Sequence, residues 1–139
     1  MSERGITLLE LLVVLVVIGT IAALALPAYR QHLLRIHRAE AMTALLKLQS
    51  AQESHYSRHT TYTDNLTAAP PAGLGLSSAS AENRYSLSVA LAANGQSFIA
   101  TATPTPGGGQ LDDECLAFSI DARGRRAVSG TADAQRCWR

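Results

Sequence analysis

The chain opens with an unbroken apolar run from Ile6 to Ala28 in which Glu10 is the only ionisable residue. As a helix, those 23 residues rise roughly 34 Å, enough to cross the roughly 30 Å hydrocarbon core of a bilayer. A membrane segment needs no acid. One carboxylate placed in hydrocarbon costs on the order of 2.5 to 3.5 kcal/mol on insertion scales, so Glu10 should have a partner and a purpose. The partner its position suits is an amino terminus. A terminal ammonium at Ile6 and a carboxylate four residues later would both stand in the first helical turn, where the acid also favours the helix dipole. While Met1 to Gly5 remain attached, Ile6 has no charge to offer. The competing use of Glu10 is a side chain that snorkels to the headgroups.

The junction reads Gly5-Ile6-Thr7-Leu8-Leu9-Glu10. A short hydrophilic leader ending in glycine, then a hydrophobic residue, Thr-Leu-Leu-Glu and an apolar helix resembles the front end of type IV prepilins and their pilin-like relatives. That resemblance implies leader cleavage by a prepilin peptidase between Gly5 and Ile6, and N-methylation of the new terminus at Ile6. It also implies an assembly role for Glu10, which would neutralise the terminus of a neighbouring subunit within a bundle of parallel helices. The family usually has Phe where this chain has Ile6. Between a glycine and a proline placed like Gly19 and Pro27, the family's helix is thought to unravel when subunits leave the membrane for the filament. Pro27 by itself is expected to kink the helix, because it lacks an amide donor and clashes with the carbonyl four residues back.

A secretory signal is the alternative for the opening. It wants an apolar core of about 7 to 15 residues without an acid, although Ala22-Ala23-Leu24-Ala25 imitates its exit. Flanking charge favours the opposite orientation, since Arg30, Arg35 and Arg38 follow the run. The two cysteines outweigh that count. Cys115 and Cys137 suit an oxidising compartment outside the cytoplasm, and as a disulfide their loop of about 23 residues would contribute roughly 3 kcal/mol. Two free thiols are the other reading. With 139 residues, 47% of them hydrophobic, and a net charge of +1, the chain suggests one small globular domain on an anchoring helix.

Beyond Pro27 the helical period persists as a narrower stripe. Leu34, Ala41, Leu45, Leu48 and Tyr56 fall on one face, opposite Thr43, Lys47, Ser50 and Ser54. One helix from Ile6 to Arg58 is therefore expected, apolar all round in its first half and amphipathic in its second. From His59 to Arg84 the sequence reads as a long loop, with Pro70-Pro71, Gly73 and Gly75. Tyr85 to Leu91 alternates, Asn94-Gly95 marks a hairpin, and Ser97 to Thr103 forms the returning strand. A third strand is expected at Cys115 to Asp121, with Leu116, Phe118 and Ile120 on one face, then a turn at Arg123-Gly124 and a short fourth strand at Arg126 to Val128.

The fold class is thus α+β, a long helix packed by its second half on a small antiparallel sheet of three or four strands, which resembles the type IV pilin fold. The expected organisation is a leader at 1–5, a transmembrane or filament-core helix at 6–28, an amphipathic half at 29–58 and a globular head at 59–139. In the pilin family two late cysteines bracket a terminal loop over the sheet, as Cys115 and Cys137 would. The ending Cys137-Trp138-Arg139 resembles that of minor pilins of the PilE type. Trp138 is read as a ring covering the edge of the core.

Catalytic groupings are not evident. His55 and His59 have the i, i+4 spacing of a metal clamp, but no third ligand accompanies them, so they are read as a solvated helix end, and no metal or cofactor is expected. Asp112-Asp113-Glu114 is likewise read as a solvated run. A DNA-binding tip pilin would need a basic patch; Arg123, Arg125, Arg126, Arg136 and Arg139 gather late in the chain, but near a turn and a terminus they are read as simply solvated, and a net charge of +1 does not argue for nucleic acid. The resemblance implies a structural subunit of a type IV pilus, a minor pilin serving filament initiation, twitching motility and adhesion. Its partners would be other pilin subunits, prepilin peptidase, the inner membrane before assembly and a tip adhesin. The alternatives are a pseudopilin of a type II secretion system and a DNA-uptake tip pilin. The implied location is the inner membrane with the head in the periplasm, then the extracellular pilus.

Overall fold

A computed structural model describes residues 7–139. Two compact units divide the chain after Leu33, and the helix α1 (Leu8–His59) runs through both. The expected start at Ile6 lies outside the described residues. The observed end is one residue later than expected and has a local cause: Thr60 takes a left-handed φ of 58°, and its N–H bonds the Tyr56 carbonyl at 2.7 Å, which closes the last turn.

In the first unit every residue from Thr7 to Ile21 is exposed, and the helix is long and apolar enough to cross a membrane. Pro27 lies inside α1 and leaves the Ala23 carbonyl without its usual donor.

The second unit, Leu34–Arg139, holds the core. Four strands, β1 (Tyr85–Leu91), β2 (Phe98–Pro104), β3 (Phe118–Asp121) and β4 (Arg126–Val128), form one antiparallel sheet in chain order. Alternation sends Tyr85, Leu87, Phe98, Ala100, Ala102, Phe118 and Ile120 inward, against Ala41, Leu45 and Leu48 of α1. Ser86, Ser88 and Thr103 face outward. A 3-10 turn at Ala93–Gly95 joins β1 to β2, with Asn94 at φ 72° and Gly95 at φ 63°, the left-handed pair that Asn-Gly supplies at little strain. The short helix α2 (Ala134–Cys137) follows β4.

Three expectations change. The third strand starts at Phe118 rather than Cys115, because Leu116 turns through φ 50° and bonds the Asp113 carbonyl, so it leaves the face shared by Phe118 and Ile120. His55 is buried rather than solvated; its Nδ1 lies 2.9 Å from the Thr61 carbonyl. Asp113 is buried too, at 2% exposure, so within the acidic run Asp112 is solvated as expected and Asp113 is not.

Candidate functional site

Two regions bear on function: the first turns of α1, and the surface where the C-terminal segment covers the sheet. At the first, Thr7 caps α1. Its Oγ1 accepts the Glu10 N–H at 3.2 Å, and its carbonyl accepts the Leu11 N–H at 3.2 Å. Thr7-Leu8-Leu9-Glu10 thus has the spacing of a capping box, a local signal in the sequence that the reading of Glu10 as an acid awaiting a cation passed over. The reciprocal bond from the Thr7 N–H to the Glu10 carboxylate is not made, and no ion pair of Glu10 occurs among the described residues. The carboxylate is exposed, and it has no side-chain hydrogen bond or ion pair among the described residues. Gly5 and Ile6, the cleavage and methylation positions, lie outside the described residues. Gly19 has open space around it, and α1 is continuous through Gly19 and Pro27.

At the second region the chain from Gln110 to Cys115 is pinned to α1 by buried polar groups. Arg38 places its Nε and one terminal nitrogen on the Asp113 carboxylate, at 2.9 and 2.7 Å, and reaches Glu114 at 3.3 Å. Asp113 Oδ1 also accepts the Cys115 N–H at 3.1 Å. Gln110 donates to the Leu34 carbonyl at 3.2 Å and to the Tyr85 hydroxyl at 3.0 Å. The hydrogen bond from Arg38 to Asp113 raises the guanidinium pKa against the opposing effect of burial, so Arg38 stays charged. Tyr85 is shifted upward as well, chiefly because burial disfavours the phenolate.

A disulfide joins Cys115 to Cys137, both fully buried, and ties this segment to α2. Trp138 closes the same end. Its ring meets Phe118 edge-on at 5.6 Å, its Nε1–H donates to the Ala127 carbonyl at 3.2 Å, and the Arg126 guanidinium lies 5.0 Å from its centroid. Trp138 is 9% exposed, as a cover on the core requires.

The late arginines share this end but are not equivalent. Arg125 pairs with Asp121 at 2.6 Å, and Arg136 with Glu114 at 3.0 Å. Arg123, Arg126 and Arg139 are exposed and make no ion pair among the described residues. Asp121 is drawn upward by burial, but hydrogen bonds from the backbone and side chain of Arg125 and the backbone of Arg123 outweigh it and lower its pKa. The five arginines therefore carry fewer uncompensated charges than their number suggests.

Residues 27–119 match the family described as type IV minor pilin ComP, DNA uptake sequence receptor. The chain belongs to this type IV minor pilin family. Residues 1–26 match the prokaryotic N-terminal methylation motif. Among curated proteins none matches. Two solved structures share the fold. A type IV pilin from Shewanella oneidensis is 26% identical, with TM-score 0.52 over 73% of this chain and 96% of that one. The non-core minor pilin PilV of Neisseria meningitidis is 20% identical, with TM-score 0.55 over 74% of this chain and 93% of its own. The long helix on a four-stranded antiparallel sheet is thus the type IV pilin fold, and the chain is a type IV minor pilin with the methylation motif at its front.

Proposed function

We propose that this minor pilin is made as a membrane-anchored precursor, with residues 1–5 as leader, 6–28 as membrane and filament-core helix, 29–58 as amphipathic half and 59–139 as head. Prepilin peptidase cuts between Gly5 and Ile6 and methylates the Ile6 amine. The head waits in the periplasm on its inner-membrane helix, then enters the extracellular pilus, where Glu10 meets the Ile6 ammonium of a neighbouring subunit. The observation that carries this reading is the exposed Glu10 carboxylate, without a partner among the described residues, at the capped start of a helix that is apolar and exposed as far as Ile21. Paired there, acid and terminus would fix the axial register of parallel helices; unpaired, the acid would cost several kcal/mol in an apolar bundle. Unravelling between Gly19 and Pro27 on assembly is part of the same proposal, as are roles in filament initiation, motility and adhesion. Glu10→Ala tests the pairing. Cleavage should proceed normally while incorporation into sheared pili is lost; incorporation at the wild-type level removes Glu10 from this role.

A second reading is supported by the description of the matched family as a DNA uptake sequence receptor together with the exposed Arg123, Arg126 and Arg139. On it, the C-terminal end of the head grips duplex phosphates. Three guanidiniums engaging three phosphates give a slope of log K against log salt of about −3. Arg123→Glu with Arg139→Glu should abolish retention of DNA by the full chain in detergent; unchanged retention and slope would remove these residues from the contact.

A further inference from the structure

We propose that the last turns of α1 and the loop folded over them form a binding pocket for one tetrahedral oxyanion, sulfate or phosphate, held by Ser54, His55, Arg58 and the Gly73 N–H. These four residues line a pocket of about 120 Å³ whose apolar walls include Pro70 and Leu74. Pockets for drug-sized ligands begin at roughly 300 Å³, so this one suits a small ion.

Two buried groups in the pocket lack an acceptor. After the Pro70-Pro71 turn, the N–H groups of Ala72, Leu74, Gly75 and Leu76 bond the carbonyls of Ala69, Asn65, Ala68 and Leu66. Gly73 stands among them, is buried, and its N–H has no partner among the described residues. Buried N–H groups are almost always paired, so an unpaired one at a pocket wall marks a place for an acceptor from outside the chain. His55 is the other. It is 8% exposed, and the left-handed turn at Thr60 sets the Thr61 carbonyl 2.9 Å from its Nδ1. A carbonyl only accepts, so Nδ1 carries the hydrogen, and Nε2 is left without a partner among the described residues. As an imidazolium, His55 offers Nε2–H as a further donor. Arg58 is exposed and makes no ion pair among the described residues, and the Ser54 hydroxyl makes no hydrogen bond there.

The charges select an anion. No acid lines the pocket, and its ionisable members, His55 and Arg58, are both basic. His59 adds a third basic group, its ring centroid 4.5 Å from that of His55. The C-terminal end of α1 opposes an anion with about half a negative charge, which the full charge of Arg58 alone exceeds. A metal ion would meet the same guanidinium, so the spacing of His55 and His59 does not make a metal clamp. A proton on His55 crowds like charges against Arg58 and His59, and a bound anion relieves that repulsion. Anion and proton therefore favour each other's binding. The loop residues at the pocket and at His55, namely Thr61, Pro70, Gly73 and Leu74, bring no titratable side chain. A free ion or a terminal sulfate or phosphate ester can enter so small a pocket, whereas a phosphodiester inside a duplex has no free end to insert. The site is thus separate from any grip on DNA by the C-terminal arginines.

Equilibrium dialysis of the full chain in detergent micelles against radiolabelled sulfate tests the pocket, because sulfate keeps its charge between about pH 6 and about pH 8 while imidazole does not. A single saturable site is expected at about pH 6, weakening at least about fivefold by about pH 8. Arg58→Gln should weaken binding roughly tenfold. Lys47→Gln removes a cation of α1 that lies outside the pocket and should leave binding within about twofold. His55→Gln should remove most of the pH dependence, with Trp138 fluorescence reporting whether that variant folds; Arg58 is exposed, so Arg58→Gln carries the test if it does not. Displacement of sulfate by an equal concentration of galactose 6-sulfate would identify a terminal ester as the ligand, and no displacement would identify the free ion. Absence of saturable binding, binding unmoved by Arg58→Gln, or an equal loss with Lys47→Gln overturns the pocket.

Discussion

Arg38 and Asp113 form a bidentate ion pair inside the C-terminal unit, with side chains 6% and 0% exposed and a shortest nitrogen–oxygen distance of 2.7 Å. They join the middle of α1 to the segment before the first cysteine, which no local pattern links. Removing one partner strands a buried charge. Arg38→Met should therefore destabilise the unit by about 3 to 5 kcal/mol. Arg38→Met with Asp113→Asn should cost clearly less than the two single changes summed, because each single change strands a buried charge and the double change strands neither. Urea unfolding of the full chain in detergent micelles, followed by Trp138 fluorescence, measures both; simple additivity would show that the pair is not coupled.

The Cys115–Cys137 bond closes a separation of 22 residues and is sealed from solvent on both sides. Reducing it should cost about 3 kcal/mol, on the order expected for a loop of this size. Under native conditions reductant should act only through unfolding, so thiol labelling should track the unfolding rate and not the reductant concentration.

Trp138 should behave as a core cover. Trp138→Ala is expected to cost about 3 kcal/mol, whereas Trp138→Phe should lose mainly the bond to Ala127 and retain incorporation into pili. Normal stability with failed incorporation in the alanine variant would instead assign the ring to a subunit contact.

Stability should fall at both pH extremes for identifiable reasons. Burial raises the Tyr85 pKa above 10.0, so the unfolded chain ionises first; the contribution is complete below that pH and is lost as pH climbs through the folded value. Tyr85→Phe should flatten the alkaline limb of a denaturation profile. Asp121 is the opposite case. Its folded pKa lies below 3.8, so its contribution is present above that pH and lost as pH falls through the folded value. The effect should be small, since Arg125 is 76% exposed and the pair is screened.

Much of this architecture is legible because it is periodic. The apolar run, the α1 stripe, the Asn94-Gly95 hairpin and β4 each follow from a repeat or a turn residue within a short window. What escapes is polar and satisfied from outside the helix. Arg38, Gln52 and His55 continue the spacing of Ala41, Leu45 and Leu48, so the period marks them as inward. Only their polarity argued otherwise, and the groups that satisfy them, Asp113, Thr63 and Thr61, are contributed by other segments. Asp113 looked solvated for the same reason: its partner lies 75 residues away. Among the candidate site residues, Thr7 shows that Glu10 heads a capped helix, which the Thr-x-x-Glu spacing already encodes.

The most direct test is the mass of the chain's amino-terminal peptide, taken from purified pili. A minor pilin processed as proposed should be present at low abundance and begin at Ile6 with one added methyl group. A chain that still begins at Met1, or one absent from pili altogether, would contradict the account.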